Sequence, residues 1–202
     1  MLRRLFAAMY EKVCKGSEDA GLREERRRLL AGAEGATIEI GAGTGLNAAL
    51  YPDRVTRLVL TEPDRHMRAR LGRRVAEAHP SAELVDAPAE ALPFADASFD
   101  TAVVTLVLCS VPDQQDALQE IARVLKPGGK LLFLEHVRSD DEKIARSQDR
   151  IRPVCNLFGC NPNRSTLAAI EASVFTVEDV RHGEVPKAPK FHRPLIVGTA
   201  RR

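Results

Sequence analysis

The chain has 202 residues, of which 44% are apolar, and a formal charge of +2. That length supports one domain with its own core, and that apolar fraction excludes a disordered polypeptide. The near balance of charge excludes a partner bound through bulk electrostatics, so no nucleic acid is expected.

The first predicted element is a helix over "LRRLFAAMYEKV", with Leu2, Leu5, Phe6, Met9 and Val13 on one face. That face is expected to pack on its own domain; a lid over a ligand and a weak membrane foot are the other readings. The apolar run is too short for an export signal, and no run has the length of a membrane span. A cytoplasmic protein without stable membrane insertion is therefore expected. The Arg-rich runs Arg23 to Arg28 and Arg65 to Arg74 read as solvated helix faces. The four cysteines, Cys14, Cys109, Cys155 and Cys160, contain no CxxC pair, so no metal site is expected and the thiols are read as reduced.

Apolar runs with strand character begin at Ala36, Thr56, Ala82, Phe99 and Lys130, and helical patterns such as Asp64 to Ala78 and Gln114 to Leu125 lie between them. "KPGG" (Lys126 to Gly129) ends the second of these helices. Near-continuous apolar strands alternating with helices predict a parallel sheet covered on both faces. "FTVEDV" at Phe175 and "PLIVGTA" at Pro194 have no obvious helix between them and predict an antiparallel pair closing one edge. The expected fold is α/β, Rossmann-like and doubly wound: a mostly parallel, seven-stranded sheet with an antiparallel edge strand and helices on both faces. The whole chain, 1–202, reads as a single domain.

The first strand runs into "IGAGTGLN". A P-loop would need GxxxxGK[ST], and no such lysine follows. The dinucleotide fingerprint GxGxxG fails at Leu46, which speaks against a nicotinamide enzyme. What remains is GxGxG: Gly41, Gly43 and Gly45, with Glu39 just before. Glu62 ends the second strand in "LVLTEPD", where an acid can accept both hydroxyls of a ribose. After the third strand, "APAEALPFADASFD" can flank an adenine through Ala89 and Glu90.

These motifs together resemble the class I S-adenosylmethionine (SAM)-dependent methyltransferases. "EIGAGTG" is similar to their E/DxGxGxG motif, "TEPD" to their ribose acid, and "EIARVLKPGGKLLFLE" to their fourth helix and following strand. "AEALPFADASFD" resembles a segment of the quinone-biosynthesis C-methyltransferases. "TLVLCSVPDQQDALQEIARVLKPGGKLLFLEHV" and "FGCNPNRSTLAAIEASVF" resemble the animal membrane-associated methyltransferase-like family that methylates alkyl thiols, whose long apolar N-terminal anchor is missing here. The resemblance implies S-adenosyl-L-methionine as cofactor, held by Glu39, Gly41, Ala42, Gly43, Thr44, Gly45, Asn47, Glu62, Pro63, Ala89, Glu90 and Leu106. Helix N-terminal amides after Gly45 are expected to meet its carboxylate. Pro88 stands where many relatives carry an acid, so the adenine amino group must be met by Glu90, Asp86 or backbone.

The acceptor is expected to be a small molecule, with an alkyl thiol first. A quinone-type C-methyltransferase and a SAM-binding protein without transfer activity are the alternatives. His136 and Asp149 are the candidate bases, and Cys155 and Cys160 can touch the acceptor. Residues 1–30 read as an N-terminal helical cap and 138–165 as an acceptor-site insertion. The oligomeric state is not legible.

Overall fold

The computed structural model describes residues 2–157 and 159–202, the side chains of residues 2–6 excepted. Its centre is a seven-stranded sheet: β1 (Gly35–Ile40), β2 (Val55–Thr61), β3 (Glu83–Val85), β4 (Phe99–Thr105), β5 (Leu125–His136), β6 (Thr176–Glu184) and β7 (Pro194–Arg201). The order is β3-β2-β1-β4-β5-β7-β6. Strands β1 to β5 pair in parallel, and β7 runs antiparallel between β5 and β6. The predicted antiparallel pair therefore closes one edge, with β6 outermost.

Six α-helices complete the chain: α1 (Leu2–Ser17), α2 (Arg23–Leu30), α3 (Arg65–Ala78), α4 (Gln114–Val124), α5 (Glu142–Asn156) and α6 (Thr166–Glu171). Alternation along each strand sends side chains to two separate cores. Ile38, Val104 and Phe133 pack with Leu118, Ile121 and Ile170 from α4 and α6. Leu60, Val103 and Leu132 pack with Leu29, Leu30, Leu71 and Val75 from α2 and α3. Each such fully buried aliphatic side chain stabilises the fold by about 1.5–3 kcal/mol. Three helices start where an aspartate caps them. Asp64, Asp113 and Asp141 each accept two amides of the first turn, and each cap contributes about 1 kcal/mol. "KPGG" is looped out within β5: Phe99 pairs with Leu125 and Thr101 with Lys130.

Three expectations change. No α-helix follows the glycine loop; Ala48–Leu50 form one 3-10 turn. Pro52 is the reason, because it holds Tyr51 extended (φ −70°, ψ 135°) and has no N–H to continue a helix. The glycine loop is therefore followed by turn amides, not by a helix N-terminus. Arg26, expected on a solvated face, is 3% exposed. On α1, Leu2, Leu5 and Phe6 lie outside the described side chains, while Met9 and Val13 are exposed. The inward face of α1 is instead Ala7, Tyr10 and Cys14. Between α1 and α2 the chain kinks at Gly21, whose φ is 130°.

Candidate cofactor and acceptor site

The carboxyl ends of β1, β2, β4 and β5 open onto one cavity of about 900 Å³, bordered by Ile40, Glu62, Thr105 and His136 among others. This is where ligands bind in sheets of this kind, and the volume suits a ligand of cofactor size with a small second molecule. All the cofactor residues expected from the sequence border it except Gly45. Gly45 lies just behind, where a Cβ would stand 2.9 Å from Leu71 Cδ1.

Gly43 has φ 59°, and a Cβ there would meet no protein atom within 4 Å. The loop thus presents bare backbone to the cavity. Glu62 fixes that loop: its Oε2 accepts the Gly43 amide at 2.8 Å and its Oε1 the Asp64 amide at 2.8 Å. Burial raises the Glu62 pKa, against the pull of those two amides.

Behind the loop lies a buried polar network that the sequence reading missed. Arg26 donates to Glu18 (3.0 Å), Asn47 Oδ1 (3.2 Å) and Thr105 Oγ1 (2.8 Å). Asn47 donates to Glu39 Oε1 at 2.9 Å, and the Tyr51 hydroxyl donates to Glu39 Oε2 at 2.6 Å. Burial pushes Glu39 up to about 7, although Tyr51, Asn47 and Arg26 all favour its charged form. The signal for Arg26 was its spacing: it falls four residues after Leu22 and three before Leu29, both buried.

At the far end of the cavity, Ala89 is buried and Glu90 Oε1 is a buried oxygen with no partner among the described residues. Asp86 is taken by Arg68 at 2.6 Å. Of the candidates for an adenine amino group, Glu90 alone carries a vacant acceptor side chain facing the cavity. Thr44 Oγ1 and His136 Nδ1 are likewise buried without partners and border the same space. Buried polar atoms are otherwise almost always paired; Glu135 Oε2, away from the cavity, is the fourth exception among the described residues. Leu106 holds φ 61°, strained for a non-glycine residue, and its amide donates to Leu134 at 2.8 Å.

The other end is built from soft groups. Cys109 follows β4, His136 ends β5, and Cys155, Cys160 and His192 close around them. His136 Nε2 lies 3.0 Å from Cys160 Sγ, and His192 Nε2 lies 3.8 Å from it. The hydrogen bond from Cys160 draws Cys109 toward thiolate against burial, with help from His136, and keeps Cys160 protonated. Burial opposes charge on His136, but the Cys109 thiolate outweighs it and the pKa rises. Burial and the neighbouring His136 hold His192 near 4. Below them Glu135 accepts the Val107 and Leu108 amides at 2.7 and 3.0 Å and turns the chain after β4.

Asp149, the second candidate base, is not brought to this site. It is exposed on α5, takes two bonds from Arg138 at 2.6 and 3.0 Å, and is held down to about 2 by Arg138 and Asn163. A carboxylate so committed is a weak base, and it does not border the cavity.

A parallel sheet with one inserted antiparallel strand, a glycine loop after β1 and an acid after β2 define a class I SAM-dependent methyltransferase. The residues present fit SAM as cofactor. The family model described as a methyltransferase domain matches residues 38–133. Human thiol S-methyltransferase TMT1A is 35% identical over 169 residues, covering 81% of this chain and 69% of that one. The chain belongs to this family. Human thiol S-methyltransferase TMT1B is 45% identical over 113 residues, 54% of this chain but only 46% of its own length. Among solved structures, the [4+2]-cyclase SpnF superposes with a TM-score of 0.70 at 20% identity, over 90% of this chain and 79% of that one. That likeness concerns the fold alone, and a cyclase on this fold shows that the site, not the sheet, sets the chemistry. Among the described residues, no helix is long and apolar enough to cross a membrane.

Proposed function

We propose that this methyltransferase acts on the sulfur of a small, largely apolar thiol. The observation that carries the reading is the composition of the acceptor end. Cys109, His136, Cys155, Cys160 and His192 gather there, while the carboxylates bordering the cavity, Glu39, Glu62, Asp64 and Glu90, belong to β1, the end of β2, the start of α3 and the turn after β3. The similarity to thiol S-methyltransferases points the same way.

When bound, SAM supplies an electrophilic methyl group on a sulfonium. The chain positions it. Glu62 accepts the ribose hydroxyls, Glu90 Oε1 accepts the adenine amino group, Glu39 favours the ammonium, and the amides around Gly43 and Thr44 face the carboxylate. A thiol with a pKa near ~8.5 is already a few per cent thiolate at neutral pH, so it needs less help from a base than a phenol or an amine. His136 is the group placed to take its proton. The protein's main work is alignment of the two reactants. Residues 1–30 act as a cap and 138–165 as the acceptor wall: Tyr10, Val13 and Cys14 border the cavity from α1, and Cys155, Leu157 and Cys160 from the end of α5 and the loop after it.

The test is turnover with SAM on matched panels of small thiols, phenols, amines and quinols. Methylation of thiols is expected. Turnover on quinols with silence on thiols supports the quinone-type reading instead, and SAM binding without any turnover supports a non-catalytic SAM-binding protein.

A further inference from the structure

We propose that Cys109, His136 and Cys160 form a binding site for a thiophilic divalent cation, Zn²⁺, whose fourth position opens to the acceptor. The sequence carries no metal signature, because the three residues come from three distant segments. The fold gathers them so that their ligand atoms all lie within 4.8 Å of one another. A tetrahedral zinc with sulfur and imidazole ligands needs separations of about 3.5–3.8 Å between donors. The 3.0 Å between Cys160 Sγ and His136 Nε2 is a little shorter than that. A small rotation of the partly exposed Cys160 side chain opens it.

The backbone holds the three in place. Cys109 sits in the turn that follows β4, where the Ser110 amide donates to Val107 at 2.7 Å. Asn161 clamps the Cys160 segment onto that turn through two bonds to the Cys109 carbonyl, at 2.9 Å from its amide and 3.3 Å from its side chain. The His136 ring is 8% exposed and turns its Nε2 toward Cys160 Sγ, and its Nδ1 has no partner among the described residues.

The charge arithmetic fits. Two thiolates and a neutral imidazole leave a zinc site neutral, which suits a buried position. Three protein ligands with one open position is the arrangement of a catalytic zinc. The fourth ligand is the acceptor thiol, which loses its proton to solvent as it binds, so that with the metal in place His136 serves as a ligand and not as the base. Its sulfur lone pair then forms the new S–CH₃ bond while the C–S⁺ bond of the cofactor breaks and that electron pair stays on the cofactor sulfur. The thioether product is uncharged, a poorer zinc ligand, and leaves. No oxidant or reductant is needed. This activating role rests on the thiol reading; the metal site itself does not.

Cobalt(II) titration of the purified full chain under reducing conditions tests the site. Thiolate-to-cobalt charge transfer and the strong visible bands of tetrahedral cobalt are expected, displaced by zinc. Both should be lost in Cys160→Ser and in His136→Ala, with SAM affinity by calorimetry confirming that each variant is folded. His192→Ala should keep them. A wild-type protein that binds SAM but shows no such bands would overturn the site, and their loss in His192→Ala would overturn the open fourth position. Stripping the metal should lower thiol turnover, and zinc should restore it. Unchanged turnover in metal-free protein would overturn the activating role. Normal cobalt bands with no turnover on any thiol would instead sink the thiol reading and leave the site standing.

Discussion

Glu62 and Gly43 form one unit: a carboxylate bordering the cavity accepts the Gly43 amide at 2.8 Å. The acid proposed to hold the ribose is therefore also the brace of the glycine loop. Glu62→Ala should weaken SAM binding by roughly tenfold to a hundredfold, since hydrogen bonds to a charged group are worth ~1.5–3 kcal/mol. Glu62→Gln should rescue little. Its amide has one carbonyl for two backbone donors and brings an NH₂ toward one of them. Calorimetry giving a near-native dissociation constant for Glu62→Gln would show that the charge and the double brace do not matter.

Gly43 and Gly41 separate binding from folding. A Cβ on Gly43 enters open cavity, whereas one on Gly41 would stand 2.8 Å from Val107 Cγ2. Gly43→Val should fold with a backbone strain of ~1–3 kcal/mol and lose SAM binding. Gly41→Val should lose stability as well, by a larger amount. A folded Gly43→Val protein with normal affinity would place the cofactor elsewhere.

Glu39 predicts a pH dependence. Its folded pKa, about 7, lies above the ordinary 4.5. Such a group lowers stability as pH rises from the unfolded value through the folded one, because the fold holds a proton that the unfolded chain has already lost. A bound cation reverses the preference by favouring the carboxylate. Arg26, Tyr51, Asn47 and Glu62 surround the group: Tyr51 is raised well above its usual value, Asn47 does not ionise, and burial raises Glu62 as well, so the Glu39→Gln comparison is what separates the two carboxyls. SAM affinity should then rise by roughly threefold to tenfold between about pH 6 and pH 8. Calorimetry on Glu39→Gln should give a flat profile, and the same slope in that variant would assign the effect to another group.

Much of this was legible in the chain. Strand runs and the GxGxG loop are local signals, and each appears where the pattern put it; the capping aspartates Asp64, Asp113 and Asp141 are equally local but went unread. What was not legible depends on contacts distant in sequence. Asp149 and its partner Arg138 sit on one surface because α5 folds back over the end of β5. Cys109 and Cys160 meet only because the loop after α5 docks on the turn after β4. Arg26 was hidden among charged neighbours that are solvated, such as Arg27, which is paired at the surface with Glu24. Arg26→Met should cost about 3–5 kcal/mol, because Glu18, Asn47 and Thr105 then lose their buried donor. Arg27→Met should leave stability nearly unchanged. Urea denaturation giving equal values for the two would remove the network from the stability argument.

The last prediction concerns α1. Tyr10, Val13 and Cys14 of this helix border the cavity. The outer contact of α1 with the rest of the fold includes the ion pair of Glu11 with Arg74 at 3.3 Å. The hydrogen bonds that hold the loop run from Glu18 through Arg26 to Asn47 and Glu39, and Tyr10 of α1 stands beside Arg26 and Glu18. Deleting residues 1–10 removes Tyr10 and the buried Ala7 but leaves Glu18, Arg26, Asn47 and Glu39 in place. The cofactor half of the cavity should survive: SAM affinity should stay within about threefold of native, less than 1 kcal/mol. The acceptor half loses a wall, and an acceptor that is poorly held reacts more slowly, so turnover should fall roughly tenfold or more. A thiol that saturates at higher concentration in the truncated protein would show that the loss lies in acceptor binding. Equal damage to SAM affinity and turnover would place α1 over the cofactor and remove its role as an acceptor cap.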